Sequence, residues 1–278
     1  MQGSHCAMVE GASLASDPIN MAFDSFVDFT GKENNPVIVF SHALGGDLSM
    51  WDRQVASFAG SYRIMRYDLR GHGRSPQSAS DFALEDLGQD VLRLLDQHGI
   101  ERAHFCGLSL GGLVGQWLGL NAAERLLSLT LIDTAPRMGA PEVWNQRFAQ
   151  IEAGGMAAIS NATMERWFTE AFRKQEPETV TRVRSVLEAT SPSGYIACAK
   201  VVRDSGFDEK DLERITVPTL VMTGTFDSAA KPEDAKKLTA RIPDSRYVEL
   251  PAAHISPIEE SDAFNNGLRM FLEERGAV

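Results

Sequence analysis

Gly107-Leu108-Ser109-Leu110-Gly111, followed at once by Gly112, constrains this chain more than any other stretch. The short apolar run Ala103–Cys106 precedes it, and the apolar stretch Leu113–Leu120 follows it. That order reads as strand, sharp turn, helix. The turn sets one serine in a strained backbone position with its hydroxyl exposed. A Cβ at either flanking glycine would crowd the adjoining strand or helix. Ser109 is therefore a candidate nucleophile. The competing reading is a tight strand-to-helix turn with a capping serine, since serine is also a preferred N-cap.

A serine nucleophile needs a base and an acid from elsewhere. Val217–Gly224 reads as a buried strand, and Thr225-Phe226-Asp227 follows its end. Ser245–Leu250 is a further strand, followed by Pro251-Ala252-Ala253-His254. Loops at the carboxyl ends of parallel strands are where such sheets collect their chemistry. His254 would take the proton from Ser109. Asp227 would fix the imidazole tautomer and stabilise the imidazolium. Two alternatives stand beside these: His254 as a surface histidine that caps the helix after Pro257, and Asp133, at the end of the strand Leu127–Ile132, as the acid.

Val37-Ile38-Val39-Phe40 is too short for a helix and typical of a central parallel strand. It ends in Ser41-His42-Ala43-Leu44-Gly45-Gly46, where a backbone N–H would face the nucleophile. The N–H groups of Leu44 and Leu110 are the expected oxyanion donors, each worth roughly 3 kcal/mol of barrier. His42 reads as a brace for this loop.

The remaining sequence sets these residues on a frame. A chain of 278 residues suits one large domain with an insertion. Residues 1–17, which start like an expression scar, read as a disordered or tag-derived tail. Residues 18–134 alternate strands (Ser25–Phe29, Val37–Phe40, Arg63–Tyr67, Ala103–Cys106, Leu127–Ile132) with helices (Met50–Phe58, Leu84–His98, Ser109–Asn121). That alternation implies a mainly parallel sheet covered on both faces, an α/β fold. Residues 135–207 change character: Trp144, Phe148, Ile151, then Met164, Trp167, Phe168, Ala171 and Phe172 fall at helical spacing. They read as a helical cap above the nucleophile. Residues 208–278 return to strand and helix and close with a helix near Ser261–Glu274.

Net charge is −11, which disfavours nucleic acid and anionic membrane surfaces as partners. No apolar run approaches the ~20 residues that span a bilayer, and no secretory pattern opens the chain. Three scattered cysteines, Cys6, Cys106 and Cys198, make no disulfide framework, so a reducing cytoplasm is expected. Cys106 reads as a small buried hydrophobe. No metal cluster or phosphate-binding loop is evident, so no cofactor is expected. The expected partner is a small-molecule ester or lactone, and the sequence leaves room for a homo-oligomer.

Phe40–Gly45, Tyr67-Asp68-Leu69-Arg70-Gly71-His72-Gly73-Arg74-Ser75 and Gly107–Gly112 together resemble the α/β-hydrolase superfamily, and the chain order Ser109, Asp227, His254 is the order of that fold. The resemblance implies an α/β-hydrolase fold with a helical cap. It also makes Asp68, Arg70 and His72 scaffolding that holds a long crossover. Asp133–Gly139, Trp144–Arg147, Gly154-Gly155-Met156 and Arg166-Trp167-Phe168-Thr169 are similar to the cap of 3-oxoadipate enol-lactonases, which open an enol-lactone in aromatic catabolism. Two departures stand out. Those enzymes commonly carry a short polar residue such as Asn where Asp133 stands, and His where Phe226 stands. The resemblance implies a serine hydrolase for a small carboxylated lactone. Trp144 and Arg147, three apart on one helical face, would face the substrate, with arginine suited to its carboxylate. Other expectations remain open: a general carboxylesterase, a carbon–carbon-bond hydrolase with the same triad, or a ligand sensor with little turnover.

Overall fold

The computed structural model describes residues 24–275. The expected tail over residues 1–17, and Cys6 with it, lies outside the described residues. Seven strands form one sheet: β1 (Val27–Thr30), β2 (Val37–Ser41), β3 (Arg63–Tyr67), β4 (Ala103–Leu108), β5 (Leu126–Ile132), β6 (Thr219–Gly224) and β7 (Ser245–Leu250). Their spatial order is β1-β3-β2-β4-β5-β6-β7. Every pairing is parallel except β1 with β3, at one edge. β2, β4 and β6 are buried at every position, as apolar runs covered on both faces must be. β7, at the other edge, is mostly half-exposed.

The helices of the frame are α1 (Asp52–Phe58), α2 (Leu84–Gln97) and α3 (Leu110–Asn121). Between β5 and β6 come only helices: α4 (Pro141–Gly154), α5 (Ala157–Trp167), α6 (Glu170–Gln175), α7 (Pro177–Ala189), α8 (Pro192–Asp204) and α9 (Glu209–Glu213). The frame then closes with α10 (Pro232–Arg241), α11 (Ser256–Glu259) and α12 (Ser261–Glu274). α1 packs on α12, while α3 packs on β4, β5 and α2. α3 is apolar nearly all round because it is buried between sheet and helix. The helical segment leaves and returns through a narrow neck, where Phe207 N–H donates to Pro136 O at 3.0 Å.

Several boundaries differ from the sequence expectation, and three of them show their cause. β1 begins at Val27 rather than Ser25, because Phe26 turns its backbone to the Asp68–Ser75 loop: Phe26 N–H donates to Ser75 Oγ at 2.8 Å and Phe26 O accepts from Asp68 N–H at 2.9 Å. β4 runs two residues further, since Gly107 and Leu108 still pair with Leu131 and Ile132. The helix expected from Met50 is a 3₁₀ turn at Leu48–Trp51 followed by α1, with the Asp47 side chain accepting from Ser49 N–H at 2.9 Å.

Candidate active site

Five adjacent parallel strands, β2, β4, β5, β6 and β7, end side by side. The loops beyond them carry Leu44, Ser109, Asp133, Asp227 and His254 in turn. This is the crevice outside the carboxyl ends where open α/β sheets place their ligands.

The turn after β4 is as tight as its glycines suggested. A Cβ on Gly107 would sit 2.1 Å from Gly111 O, and one on Gly111 would sit 2.4 Å from Ser41 O. Ser109 sits between them at φ 56° and ψ −108°. Ser109 N–H donates to Ile132 O at 2.8 Å, and the Thr134 hydroxyl donates to Ser109 O at 2.9 Å, so neighbouring β5 locks this backbone. The Ser109 side chain does not cap α3. It faces His254 instead, with Oγ 3.0 Å from Nε2.

His254 is buried rather than on a surface loop, and its Nδ1 lies 2.8 Å from Asp227 Oδ2. An ionised carboxylate only accepts, so Nδ1 carries the hydrogen and Nε2 accepts from the Ser109 hydroxyl. Asp227 is fixed by its other oxygen, which accepts from Ala229 N–H at 2.7 Å and Ala230 N–H at 3.0 Å. Burial by itself would push the His254 imidazole down. The charge and hydrogen bond of Asp227, with the Asp133 charge, outweigh burial and the opposing Arg147 cation, and hold it above its ordinary value. Such a line of groups can move a proton from hydroxyl to ring.

Asp133 is fully buried at the end of β5, at φ 44°. Its oxygens face other partners than the imidazole. Gly224 N–H donates to Oδ1 at 2.8 Å, while Ser256 N–H and Oγ–H donate to Oδ2 at 3.0 and 2.7 Å.

Leu44 lies in the cavity wall beside Ser109 and His254, and Leu110 is the first residue of α3, whose first N–H groups have no partner within the helix. The Leu44 loop is braced from behind. His42 donates from Nδ1 to Ala43 O at 2.8 Å and accepts Leu69 N–H at Nε2 at 2.9 Å. His72 accepts Gly45 N–H at Nε2 at 3.0 Å. Asp68 accepts Leu48 N–H and Arg74 N–H, both at 2.8 Å, and Arg70 makes a two-pronged pair with Asp90. These residues build the wall and stay out of the cavity.

The cavity measures about 260 Å³ and lies between these loops and helices α4, α5 and α8. Trp144 and Arg147 both line it. The Arg147 guanidinium stands 4.9 Å from the Trp144 ring centroid and donates to Tyr195 Oη at 3.2 Å. Trp144 Nε1–H donates to Met138 O at 2.8 Å, which fixes the indole. Sequence reasoning missed Arg166, Trp167 and Tyr195 as wall residues. Arg166 and Trp167 were visible only as part of a cap motif, and nothing local marks Tyr195. Two arginines and no Asp or Glu line the cavity, so it is locally cationic in an acidic protein.

The sequence model of the family described as alpha/beta hydrolase fold matches residues 36–261. The chain is 35% identical over 243 residues to 3-oxoadipate enol-lactonase 2 of Acinetobacter baylyi, covering 87% of this chain and 91% of that protein. It is 36% identical over 238 residues to 3-oxoadipate enol-lactonase 1 of the same organism, covering 86% and 89%. Among solved structures, the enol-lactonase from Burkholderia xenovorans LB400 matches with a TM-score of 0.88 at 40% identity, covering 90% of this chain and 97% of that one.

Proposed function

The chain belongs to the α/β-hydrolase family, and from that premise we propose that it is a serine hydrolase that opens a small carboxylated lactone, with 3-oxoadipate enol-lactone as the substrate. One observation carries this reading. His254 bridges Ser109 and Asp227 at the floor of a cavity whose charged wall groups are Arg147 and Arg166. The two 3-oxoadipate enol-lactonases, similar over most of the chain, support the choice of substrate.

In this reaction Ser109 Oγ attacks the lactone carbonyl while His254 takes its proton. Asp227 keeps the imidazole oriented and stabilises its cation. The N–H groups of Leu44 and Leu110 receive the developing oxyanion. The ring C–O bond breaks, and the enol oxygen leaves with the proton that His254 returns. Water, deprotonated by His254, then releases the acid and frees Ser109. Helices α4–α8 act as a cap. Arg147 and Arg166 hold the substrate carboxylate, and Trp144 packs against the ring.

A general carboxylesterase is the second reading. It is favoured by Phe226 and Val143, which are 62% and 53% exposed beside Asp227 and at the cavity wall. Paired substrates separate the two. Arg147→Ala should lower kcat/KM for a carboxylated lactone about tenfold to a hundredfold, the worth of one charge-assisted hydrogen bond. Neutral p-nitrophenyl esters should change little. Arg147→Lys should recover part of the loss, because lysine keeps the charge without the planar fork. Equal falls for charged and neutral substrates would mean that Arg147 only holds the cap, and the esterase reading would replace this one.

A further inference from the structure

Asp133 is not used in the mechanism above, yet it is a fully buried carboxyl group among the reacting residues. The parallel ladder explains what it does. β6 and β7 pair as far as Gly224 and Leu250, and the acid and base loops begin there. Two backbone bonds, Thr225 N–H to Leu250 O at 2.8 Å and Phe226 N–H to Ala252 O at 2.9 Å, carry the pairing a little further, and neither reaches His254, which must stay within 2.8 Å of Asp227. Asp133, at the end of β5, reaches both. Oδ1 takes Gly224 N–H, three residues before Asp227, and Oδ2 takes the N–H and hydroxyl of Ser256, two residues after His254.

We propose that Asp133 is a positioning residue for the base: it pins the acid loop to the base loop and keeps the His254 imidazole in line between Asp227 and Ser109. It is not the partner of the imidazole, because its two oxygens are occupied by three donors and His254 Nδ1 meets Asp227. The charged groups that face His254 are Asp227 beyond β6, Asp133 at the end of β5 and Arg147 from α4. Glu259 accepts the neighbouring Ala253 N–H at 2.9 Å, and Tyr247 on β7 also feels the Asp133 charge. Burial, then the nearby Asp227 charge, push the Asp133 carboxyl up to about 8, against the imidazole and the Ser256 donors. A methyl group in its place serves none of the three donors, whereas an amide, the group that similar enzymes commonly carry there, still accepts on one side through its oxygen.

The inference rests on the triad reading and not on the substrate class, so a neutral p-nitrophenyl ester is the assay substrate. Active sites are counted with a fluorophosphonate that labels Ser109. Asp133→Ala should lower kcat per titrated site about tenfold to a hundredfold with KM little changed, as a small misplacement of a reacting group does, and Asp133→Asn should recover most of that loss. Ser256→Ala should lower kcat per site by less, and the double variant Asp133→Ala with Ser256→Ala should lose less than the product of the two losses. An Asp133→Ala variant that loses only thermal stability, with kcat per site unchanged, overturns the proposal. So does a loss at Asp133→Ala as deep as the triad acid would give, paired with a mild Asp227→Asn. Should Asp133→Ala fail to fold, an unchanged kcat per site in Ser256→Ala overturns it. Full activity in Ser109→Ala in the same assay would instead overturn the triad reading beneath it.

Discussion

Ser109 is held at φ 56°, where an L-residue is rare and strained by on the order of 1–3 kcal/mol. Thr134 and Ile132 supply the bonds that hold it there. Ser109→Gly should therefore remove activity and raise thermal stability, by about 1 kcal/mol after glycine's own entropy cost. An unchanged or lowered melting temperature would show that the turn is not strained. Ser109→Ala and His254→Ala should each cost on the order of 10⁶-fold in kcat, and together no more, because they act as a unit. Asp227→Asn should cost about 10⁴-fold through the wrong imidazole tautomer. The charges around His254 give pH predictions with opposite signs. His254 must be neutral to accept the Ser109 proton, so activity rises with pH through its pKa, which lies above the ordinary 6.5. Arg147 lowers that value, so Arg147→Ala should move the acid limb of kcat/KM to higher pH, and Asp227→Asn should move it to lower pH. Profiles measured on a neutral ester check both directions.

At the scale of elements, the turn between β4 and α3 works because two backbones pass at contact distance. The Gly111 position faces Ser41 O at the end of β2, and backbone cannot move aside as a side chain can. Gly111→Ala should push α3 away from β2, shift Ser109 and the Leu44 loop together, and destabilise the fold by about 1–3 kcal/mol. Its kcat should fall more than the folded fraction does, which active-site titration separates. The base loop is held just as closely by the helical insertion. Ile255 N–H donates to Trp167 O at 3.1 Å, and Glu259 accepts from the Thr169 N–H and hydroxyl. Helices that wall the cavity thus also fix the segment that carries His254. Sequence periodicity found these helices, but not their bonds to the base loop. Hydrophobic spacing tells which face is buried and not what a backbone N–H will meet.

For the whole molecule, histidines link stability to pH. His42, His72 and His104 are buried and neutral; burial lowers all three, His72 to about 3 and His104 to about 4. An unfolded chain binds protons at these rings below about 6.5 and the folded chain does not, so each contributes stability above 6.5 that is lost as pH falls. His104→Gln should remove one such proton. Between pH 6.5 and 5 its stability should fall less steeply than wild type, by about 1.4 kcal/mol per pH unit. Parallel curves from denaturant titrations would show that His104 is protonated in the fold. Among the described residues no helix is long and apolar enough to cross a membrane.

The order and type of the frame's strands were legible because buried parallel strands are short apolar runs. The turn after β4 was legible because only glycine permits its close approaches, at Gly107 and Gly111. Ser109, Asp227 and His254 could be named from chain order and from their places after strands, since strand ends are fixed by local pattern. Chain order favoured Asp227 over Asp133 as the imidazole's neighbour, but the contact itself could not be read from the sequence. Both follow strands and both are carboxylates. The choice depends on the loops beyond β6 and β7, whose approach is set by backbone bonds between them and by bonds from Asp133 at the end of a third strand. Nor could it show Arg166 and Tyr195 in the cavity wall beside Arg147. They come from α5, α8 and α4, and only the folding of the insertion back over the sheet brings those helices to one place. Periodicity records which residues each element buries; which elements meet across a cavity is set by packing distant in sequence, and only the tertiary structure holds that information.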